Sequence, residues 1–512
     1  SISSANAGSY TITNLAGITI ADGSGGAASN YTLTGGTHNF TVNPKVISLS
    51  GSRLYDATTD AVASDLTTIS GLVGSETLNL SGTGSVANAN VASNKTVTLG
   101  TLALADNSGL AANYTLSGGT HQLTVNQRPL AATIARQYDG TKTAAGSDLS
   151  SFDALQGGET LTLSGSGTVG DENVANGQAV ILGTLALVDG TGLASNYSLN
   201  SASLNITERV LNSSGSKTYD ANTNALAADI TLSNLVSGEA LNHSGTASIS
   251  SANAGSYTIT NLAGITIADG SGGTASNYTL TGGTHNFTVN RRIVSVSGTR
   301  LYDATTNAIA SDLSTHTNLV GSETLNLSGA GTIASKNVGS NKTVSVGTLA
   351  LADGSNGGLA ANYTLSGGTH QLTVNQRPLN AIIQRVYDGG LNAEESDLSS
   401  FDALQGGETL FLSGTGTVSN KNVSSNQSVT LGTLALSDTG ATGETGNYSL
   451  NSAKLNIIQR PISTVYLTKL YDASTTVQAS DLQTMSNLVG SESLTLTGTS
   501  TISDANVGTK TV

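Results

Sequence analysis

Two short motifs recur along this chain at one common interval of roughly 83 residues. The first is a Tyr-Asp pair, whose tyrosines are Tyr55, Tyr138, Tyr219, Tyr302, Tyr387 and Tyr471. The second is an Asn-Tyr pair, whose tyrosines are Tyr31, Tyr114, Tyr197, Tyr278, Tyr363 and Tyr448. Two independent markers that share a period define a tandem array of one module. Such an array is typical of a protein that builds length or repeats a surface, rather than of one that holds a single catalytic centre.

Prolines and basic residues place the boundaries between modules. All four prolines of the chain fall at the same point of the repeat, at Pro44, Pro129, Pro378 and Pro461. Proline fixes φ and donates no backbone hydrogen bond, which suits the exit from one sheet and the start of the next. A lysine or arginine lies at every junction, and no Gly/Ser linker intervenes. The predicted domains are a partial module 1–44, complete modules 45–127, 128–208, 209–291, 292–376 and 377–459, and a partial module 460–512.

The modules come in three variants used in rotation. Residues 1–43 reappear at 248–290 with one change, Ala27 to Thr274. The chain opens and closes at nearly the same point of this cycle. We therefore expect it to be part of a longer array.

Composition argues against several classes of protein. The chain has no cysteine, which excludes a disulfide scaffold and cysteine-based zinc sites. Its net charge is −14 and no basic stripe is present, so we expect no nucleic-acid partner. No segment reaches the 18 or more apolar residues typical of a membrane helix, so we expect no membrane insertion.

Hydrophobic alternation within module 45–127 predicts short strands. Ile47 and Leu49 alternate with serines, as in a half-buried strand. Leu102 and Leu104 have switched phase relative to the strand before them, which predicts a bulge or bend at residues 100–101.

The fold class that follows is all-β. Several short strands with turn signals every 8–12 residues predict antiparallel β-modules, and an Ig-like sandwich is the favoured form. A β-grasp-type sheet is the alternative if segment 64–73 forms a helical turn. Directly connected modules of this kind predict an elongated rod.

Recurring acids are the candidates for a metal site. In module 45–127 they are Asp56, Asp65, Glu76 and Asp106. Oxygen ligands of this type suit calcium, which would make it the one candidate cofactor. Acids at strand ends also form Asx turns and remain solvated, and that interpretation is favoured here. Calcium that stiffens a junction needs acids there, whereas the junctions carry lysine and arginine.

The landmark tyrosines are the main aromatic resource of the chain. Tyr55 and its five copies are interpreted as core anchors whose hydroxyl caps a loop. The Asn-Tyr-Thr/Ser sequences also match the N-glycosylation sequon, but asparagine before a strand is ordinary turn chemistry. No catalytic arrangement of side chains stands out, so we expect no enzyme.

The Tyr-Asp segment carries a resemblance to a known family. Residues 136–141, Arg-Gln-Tyr-Asp-Gly-Thr, together with 196–199, Asn-Tyr-Ser-Leu, resemble the YDG-type repeat of large bacterial surface adhesins. These adhesins are filamentous-haemagglutinin-like, leave the cell by two-partner secretion and include biofilm-matrix adhesins. Tyr-Asp-Gly itself occurs at 138–140 and 387–389, whereas the other copies read Tyr-Asp-Ala.

The resemblance implies an extracellular or cell-surface location, an outer-membrane transporter as partner and a stalk or filament role. The alternative is a repeated surface that binds exopolysaccharide weakly and gains strength by avidity. Copies of the chain itself are a further candidate partner. Exposed aromatics aligned on one face would favour binding, whereas a Ser/Thr surface would favour a spacer.

Overall fold

The computed structural model describes residues 1–510, and short β-strands dominate it. The described helices are single 3-10 turns at two points of each module. One set directly precedes the tyrosines of the Asn-Tyr motif: Ala28–Asn30, Ala111–Asn113, Ala194–Asn196, Ala275–Asn277, Ala360–Asn362 and Thr445–Asn447. The other set follows the short strand after each Tyr-Asp motif: Ala63–Asp65, Gly146–Asp148, Ala227–Asp229, Ala310–Asp312, Glu395–Asp397 and Ala479–Asp481. None of the helices in residues 1–510 is long and apolar enough to span a membrane.

The strands up to residue 208 follow the predicted repeat. The first partial module contains Gly8–Thr11 and Asn39–Val42. The next module contains Lys45–Val46, Ser48–Leu54, Asp60–Val62, Thr68–Ser70, Leu78–Ser81, Thr83–Val86, Ala92–Thr98, Ala103–Asp106, Tyr114–Thr115 and His121–Asn126. Module 128–208 contains Arg128–Gln137, Thr143–Ala145, Leu149–Phe152, Leu161–Ser164, Ser166–Thr168, Ala175–Ala179, Ala186–Asp189 and Tyr197–Thr207.

The later strands repeat this series. Module 209–291 contains Arg209–Val210, Asn212–Thr218, Asn224–Leu226, Ile230–Ser233, Leu241–Ser248, Gly255–Thr258, Ile265–Asp269, Tyr278–Thr279 and His285–Asn290. Module 292–376 contains Arg292–Ile293, Ser295–Leu301, Asn307–Ile309, Thr315–Thr317, Leu325–Ser328, Ala330–Ile333, Gly339–Ser345, Ala350–Asp353, Tyr363–Thr364 and Gln371–Asn375. The remaining strands are Arg377–Val386, Asn392–Glu394, Leu398–Phe401, Phe411–Ser413, Thr415–Thr417, Ser424–Ser428, Ala435–Ser437, Tyr448–Ile458, Thr464–Leu467, Thr476–Gln478, Leu482–Ser486 and Thr499–Thr501.

The chain divides into two compact units. One unit comprises residues 1–214, 231–245 and 262–285, and the other comprises 215–230, 246–261 and 286–512. Modules 45–127 and 128–208 lie in the first unit, and modules 292–376 and 377–459 lie in the second. Each of these four modules is therefore contained in one compact unit.

Module 128–208 shows how the sheet is assembled. Its first strand, Arg128–Gln137, is termed the opening strand, and its last, Tyr197–Thr207, the closing strand. These two pair in parallel at the centre of a four-stranded sheet. Leu149–Phe152 pairs antiparallel with the opening strand, and Ala175–Ala179 pairs antiparallel with the closing strand. Each of the two central strands thus has a neighbour on both sides.

The all-β tandem array predicted from sequence is confirmed, but the predicted antiparallel pairing does not hold for the central strands. In module 45–127 the opening strand Ser48–Leu54 also runs parallel to the closing strand His121–Asn126. Parallel neighbours need a long crossover connection, and the rest of the module supplies it. Residue alternation shows which face of a strand is buried, and it does not show the direction of the partner strand.

One turn of helix bears on the choice between the two sheet types. Ala63–Asp65 is a single 3-10 turn that overlaps the start of segment 64–73, where the β-grasp-type alternative expected a helical turn. The rest of that segment contains the strand Thr68–Ser70, which pairs antiparallel with the opening strand Ser48–Leu54.

The predicted bend at residues 100–101 is confirmed. Strand Ala92–Thr98 ends before this point, and Ala103–Asp106 begins after it. Gly100 has a φ of 54°, in the left-handed region that glycine adopts readily. The turn sends the second strand to pair with Leu78–Ser81 instead of continuing along the main sheet.

The buried core crosses the boundary between modules. Ile47 and Leu49 belong to the core of module 45–127, and Leu130, Leu161 and Tyr197 of the next module belong to the same buried cluster. Burial of apolar surface therefore stabilises the junction as well as the modules that it connects.

Candidate functional site at the junctions between modules

A single carboxylate connects modules 45–127 and 128–208. Tyr55 of the first module donates its hydroxyl to Oε1 of Glu159 at 2.5 Å. Tyr197 of the second module donates to Oε2 of the same carboxylate at 2.7 Å. The backbone N–H of Gln156 donates to the Tyr197 hydroxyl oxygen at 3.1 Å. Both oxygens of Glu159 thus accept a charge-assisted hydrogen bond, one of them from the neighbouring module.

The two tyrosine rings contact each other directly. Their centroids lie 5.3 Å apart and their planes are inclined by 76°, an edge-to-face geometry that is favourable for aromatic pairs. Each residue is only 2% exposed. Burial, followed by the hydrogen bond to Glu159, raises the pKa of Tyr55 and of Tyr197 to about 12. Both hydroxyls therefore remain neutral donors over the physiological pH range.

Local structure orients the Tyr55 ring toward the next module. Tyr55 follows the opening strand directly, and its N–H donates to the carbonyl of Asn126 at 2.9 Å. Asp56 then accepts the N–H of Thr58 at 2.9 Å, which forms an Asx turn. Ala57 takes a left-handed φ of 62° in this turn. The Tyr-Asp motif is thus a turn that ends the strand and fixes the direction of the ring.

An asparagine pair forms a second connection at the same junction. Asn196 is 1% exposed, and its Oδ1 accepts the N–H of Val91 at 2.9 Å. Its Nδ2 donates to Oδ1 of Asn90 at 3.0 Å. The oxygen and the nitrogen of this buried amide therefore each form a hydrogen bond with the preceding module, across the boundary. The sequon nitrogen of Asn196 is consequently not free for a glycan in the folded array.

The basic residue at the boundary completes the arrangement. The Nε–H group of Arg128 donates to the carbonyl of Tyr55 at 2.6 Å. This set of contacts, formed by the bridging glutamate, its two tyrosines, the asparagine pair and the basic residue, is termed the joint.

The bridging carboxylate, the tyrosine pair and the asparagine pair of the joint recur at three further junctions. The bridging carboxylates accept from Tyr138 and Tyr278 at Glu239, from Tyr219 and Tyr363 at Glu323, and from Tyr302 and Tyr448 at Glu408. The ring centroids of these pairs lie 5.5, 5.3 and 5.2 Å apart. The asparagine pairs are Asn173 with Asn277, Asn253 with Asn362, and Asn337 with Asn447. Tyr387 makes the corresponding hydrogen bond to Glu492.

The family model of the YDG domain matches residues 39–122, 120–204, 203–286, 287–371, 369–456 and 459–512. The chain belongs to the YDG domain family. None of the curated proteins compared with the sequence matches it. Six tandem YDG domains in an all-β fold indicate a structural repeat protein rather than a catalytic one.

The landmark tyrosines of the YDG domains occupy different environments along the chain. Tyr55, Tyr138, Tyr219 and Tyr302 are buried in joints. Tyr387 is half-buried, and Tyr471 in the last partial module is 65% exposed. The ring of a Tyr-Asp tyrosine is therefore buried where it packs on the Asn-Tyr tyrosine of the next module. Among the described residues, Tyr387 and Tyr471 have no such partner ring.

The YDG acids proposed as weak calcium candidates are not brought together. Asp56 forms an ion pair with Arg53, and Asp65 Oδ2 lies 3.8 Å from Arg53 Nε. Both carboxylates thus face one guanidinium group that lies at the end of the opening strand.

The other two candidates have separate partners. Glu76 accepts the hydroxyl of Tyr114, and Asp106 accepts the N–H of Ala111 at 2.7 Å, which fixes the start of a 3-10 turn. Within residues 1–510 no three His, Cys, Asp or Glu side chains are grouped as metal ligands would be.

The bridging role of the YDG glutamate was missed from sequence. From sequence, Glu76 is interpreted as a solvated acid at a strand end, with calcium binding as the alternative, whereas its copies hold the joints. The signal was present, because a glutamate recurs with the tyrosine period at Glu76, Glu159, Glu239, Glu323, Glu408 and Glu492. Its partner, however, is separated by 104 positions in the case of Tyr55 and Glu159.

Proposed function

We propose that this chain is a structural stalk or filament segment of a secreted bacterial adhesin, which extends an adhesive region from the cell or scaffolds biofilm matrix. The observation that supports it is the repeated joint. The same half-buried carboxylate, aromatic pair and asparagine pair connect successive modules, so every added module gains the same attachment to its neighbour.

The composition of the joint favours a stiff connection. The amide of Asn196 is bonded to Val91 and Asn90 of the preceding module, and the carboxylate of Glu159 accepts from tyrosines of both modules. Bending that separates these partners while the groups stay buried would leave them without a hydrogen bond, which costs about 1–3 kcal/mol for each group. A stalk needs this property, because length is useful only if successive modules keep their relative orientation.

The alternative, a repeated exopolysaccharide-binding surface, receives less support. Stacking on sugars needs exposed aromatic side chains. Within the complete modules the exposed aromatic among the described residues is Phe411, at 47%. Eight of the twelve landmark tyrosines are paired in the four complete joints instead.

The stiffness can be tested by single-molecule fluorescence energy transfer in the full chain. Because the sequence has no cysteine, Ser117→Cys and Ser151→Cys provide unique dye sites on adjacent modules. We expect a narrow distribution of transfer efficiency, which Glu159→Ala broadens. Glu172→Ala removes an acid that contacts Lys142 outside the joint and serves as the matched control. A distribution left unchanged by Glu159→Ala would contradict the stalk proposal.

The adhesin context has its own test. Antibodies against the array should label intact cells of the source bacterium, and labelling should be lost when its two-partner transporter is deleted. Titration of the purified chain with exopolysaccharide examines the alternative, since saturable binding would favour the repeated binding surface.

A further inference from the structure

The path of the chain through a module determines how tension acts on its central strand pair. In module 128–208 the chain arrives at the start of the opening strand, Arg128–Gln137, and departs at the end of the closing strand, Tyr197–Thr207. These strands are parallel neighbours, with register from Arg128 opposite Tyr197 to Gln137 opposite Thr207. The points of arrival and departure therefore lie at opposite ends of the same strand pair.

Strand direction determines how this pair carries a load. Tension applied through the chain pulls the two parallel strands past each other along their length. The evenly spaced backbone hydrogen bonds of the pair are then strained together and must break together. If the same strands were pulled from one common end, their bonds would break one after another.

The pair is also shielded from water. Leu149–Phe152 flanks Ala132, Thr133 and Ile134 of the opening strand, and Ala175–Ala179 flanks residues 203–206 of the closing strand, so the middle of the pair is not a sheet edge. On its inner face Leu130, Ile134 and Leu204 are at most 1% exposed. Water cannot readily replace hydrogen bonds that are covered in this way, because it has no access to them until the neighbouring strands separate.

Tension passes between modules without a flexible element. Gln127 alone separates the closing strand His121–Asn126 from the next opening strand, and Glu208 alone separates Tyr197–Thr207 from Arg209. The second unit repeats the arrangement, since Arg377–Val386 runs parallel to Tyr448–Ile458 with the same shift of register after the third pair.

We propose that each module is a tension-bearing clamp, in which the parallel opening and closing strands resist extension of the array. This goes beyond the stalk role, because a spacer needs only length and orientation. It rests on strand directions inside a module and not on the joints.

The test compares two directions of pulling on the same strands of the full chain. Gln127→Cys with Glu208→Cys attaches the handles of an optical trap at opposite ends of the pair. Thr141→Cys with Glu208→Cys attaches them near one end, because Gln137 is in register with Thr207. All three positions are exposed, and no other thiol competes for the handles.

We expect the module to unfold at a several-fold higher force in the first geometry at the same loading rate. Equal forces, or a higher force in the second geometry, would overturn the clamp while leaving the stalk proposal intact. Thermal unfolding of both variants shows whether the cysteines themselves weaken the fold. If Thr141→Cys does so, Lys142→Cys with Glu208→Cys repeats the one-end geometry.

Discussion

The ammonium group of Lys336 lies 2.5 Å from the carboxylate of Glu408, across the boundary between modules 292–376 and 377–459. It also lies 5.9 Å from the ring centroid of Tyr302, within cation–π distance. The equivalent position in module 45–127 is Ala89, so the joint at Glu159 lacks this ion pair. The joint at Glu408 therefore has a charged contact that the joint at Glu159 lacks.

Lys336→Ala should weaken the Glu408 joint by about 1 kcal/mol or less, since the lysine is 42% exposed. Burial alone would raise the pKa of Glu408, but hydrogen bonds from Lys336, Tyr302 and Tyr448 outweigh it and lower that pKa. A depressed carboxyl pKa contributes stability that is present above the ordinary value of 4.5 and is lost as pH falls. The melting temperature of the variant should be lower than that of the wild type at neutral pH, and the two melting temperatures should become equal in acid. A difference that persists in acid would show a steric cause.

Tyr55→Phe should lower the free energy of unfolding by about 1.5–3 kcal/mol, because it removes one hydrogen bond to the charged, half-buried carboxylate of Glu159 and keeps the ring. Denaturant titration measures the change. Tyr257→Phe is the control, because that hydroxyl donates to a backbone carbonyl, of Asn253, and not to a carboxylate. Similar losses for both variants would mean that the charge on Glu159 adds nothing.

Alkaline pH should destabilise the array through the same tyrosines. The pKa of Tyr55 is raised from 10.0 to about 12 in the folded chain, by burial first and Glu159 second. A raised pKa contributes stability that is fully present below 10 and lost as pH rises through about 12. Unfolding free energy measured across this window should fall in the wild type and fall less in Tyr55→Phe. Parallel curves for the two proteins would contradict the assignment.

Asn196→Ala should leave the Val91 N–H without its acceptor, at a cost of about 1–3 kcal/mol. Hydrogen exchange of the Val91 amide should accelerate more than that of amides elsewhere in the module. Asn200→Ala, at an exposed position whose side chain accepts only from Ser198, should leave Val91 unaffected. If the Val91 amide stays protected from exchange in Asn196→Ala, the asparagine pair does not contribute to the joint.

Chelation should leave the melting temperature nearly unchanged. Asp56, Glu76 and Asp106 are each occupied by a separate protein partner, so a cation would first have to displace it. Differential scanning calorimetry with and without EDTA measures the effect. A large fall that calcium reverses would restore these acids as ligands.

The sequence was sufficient for features that depend on local pattern. The tyrosine period established the repeat, and the phase switch before Leu102 located a turn at residues 100–101. The direction of the paired strands could not be predicted from the sequence, because the partner of Ser48–Leu54 lies some seventy residues downstream in the same module. Alternation is equally compatible with a parallel and an antiparallel neighbour.

The joint was predictable only in part. A recurring tyrosine suggests a buried ring, and Tyr55 is indeed 2% exposed. Its hydroxyl partner, Glu159, belongs to a different module, and a single repeat contains nothing that points to it. The recurring acids are interpreted from sequence as solvated turn residues or as ion ligands, and neither interpretation indicates a carboxylate that bridges two modules.

Each module carries one half of a joint at either end. The Tyr-Asp turn serves the following module, while the glutamate and the Asn-Tyr pair serve the preceding one. Unequal recombination that inserts or deletes a whole module therefore restores a matched interface at the new boundary. Copy number, and with it the reach of the array, can change between generations without the evolution of any new contact.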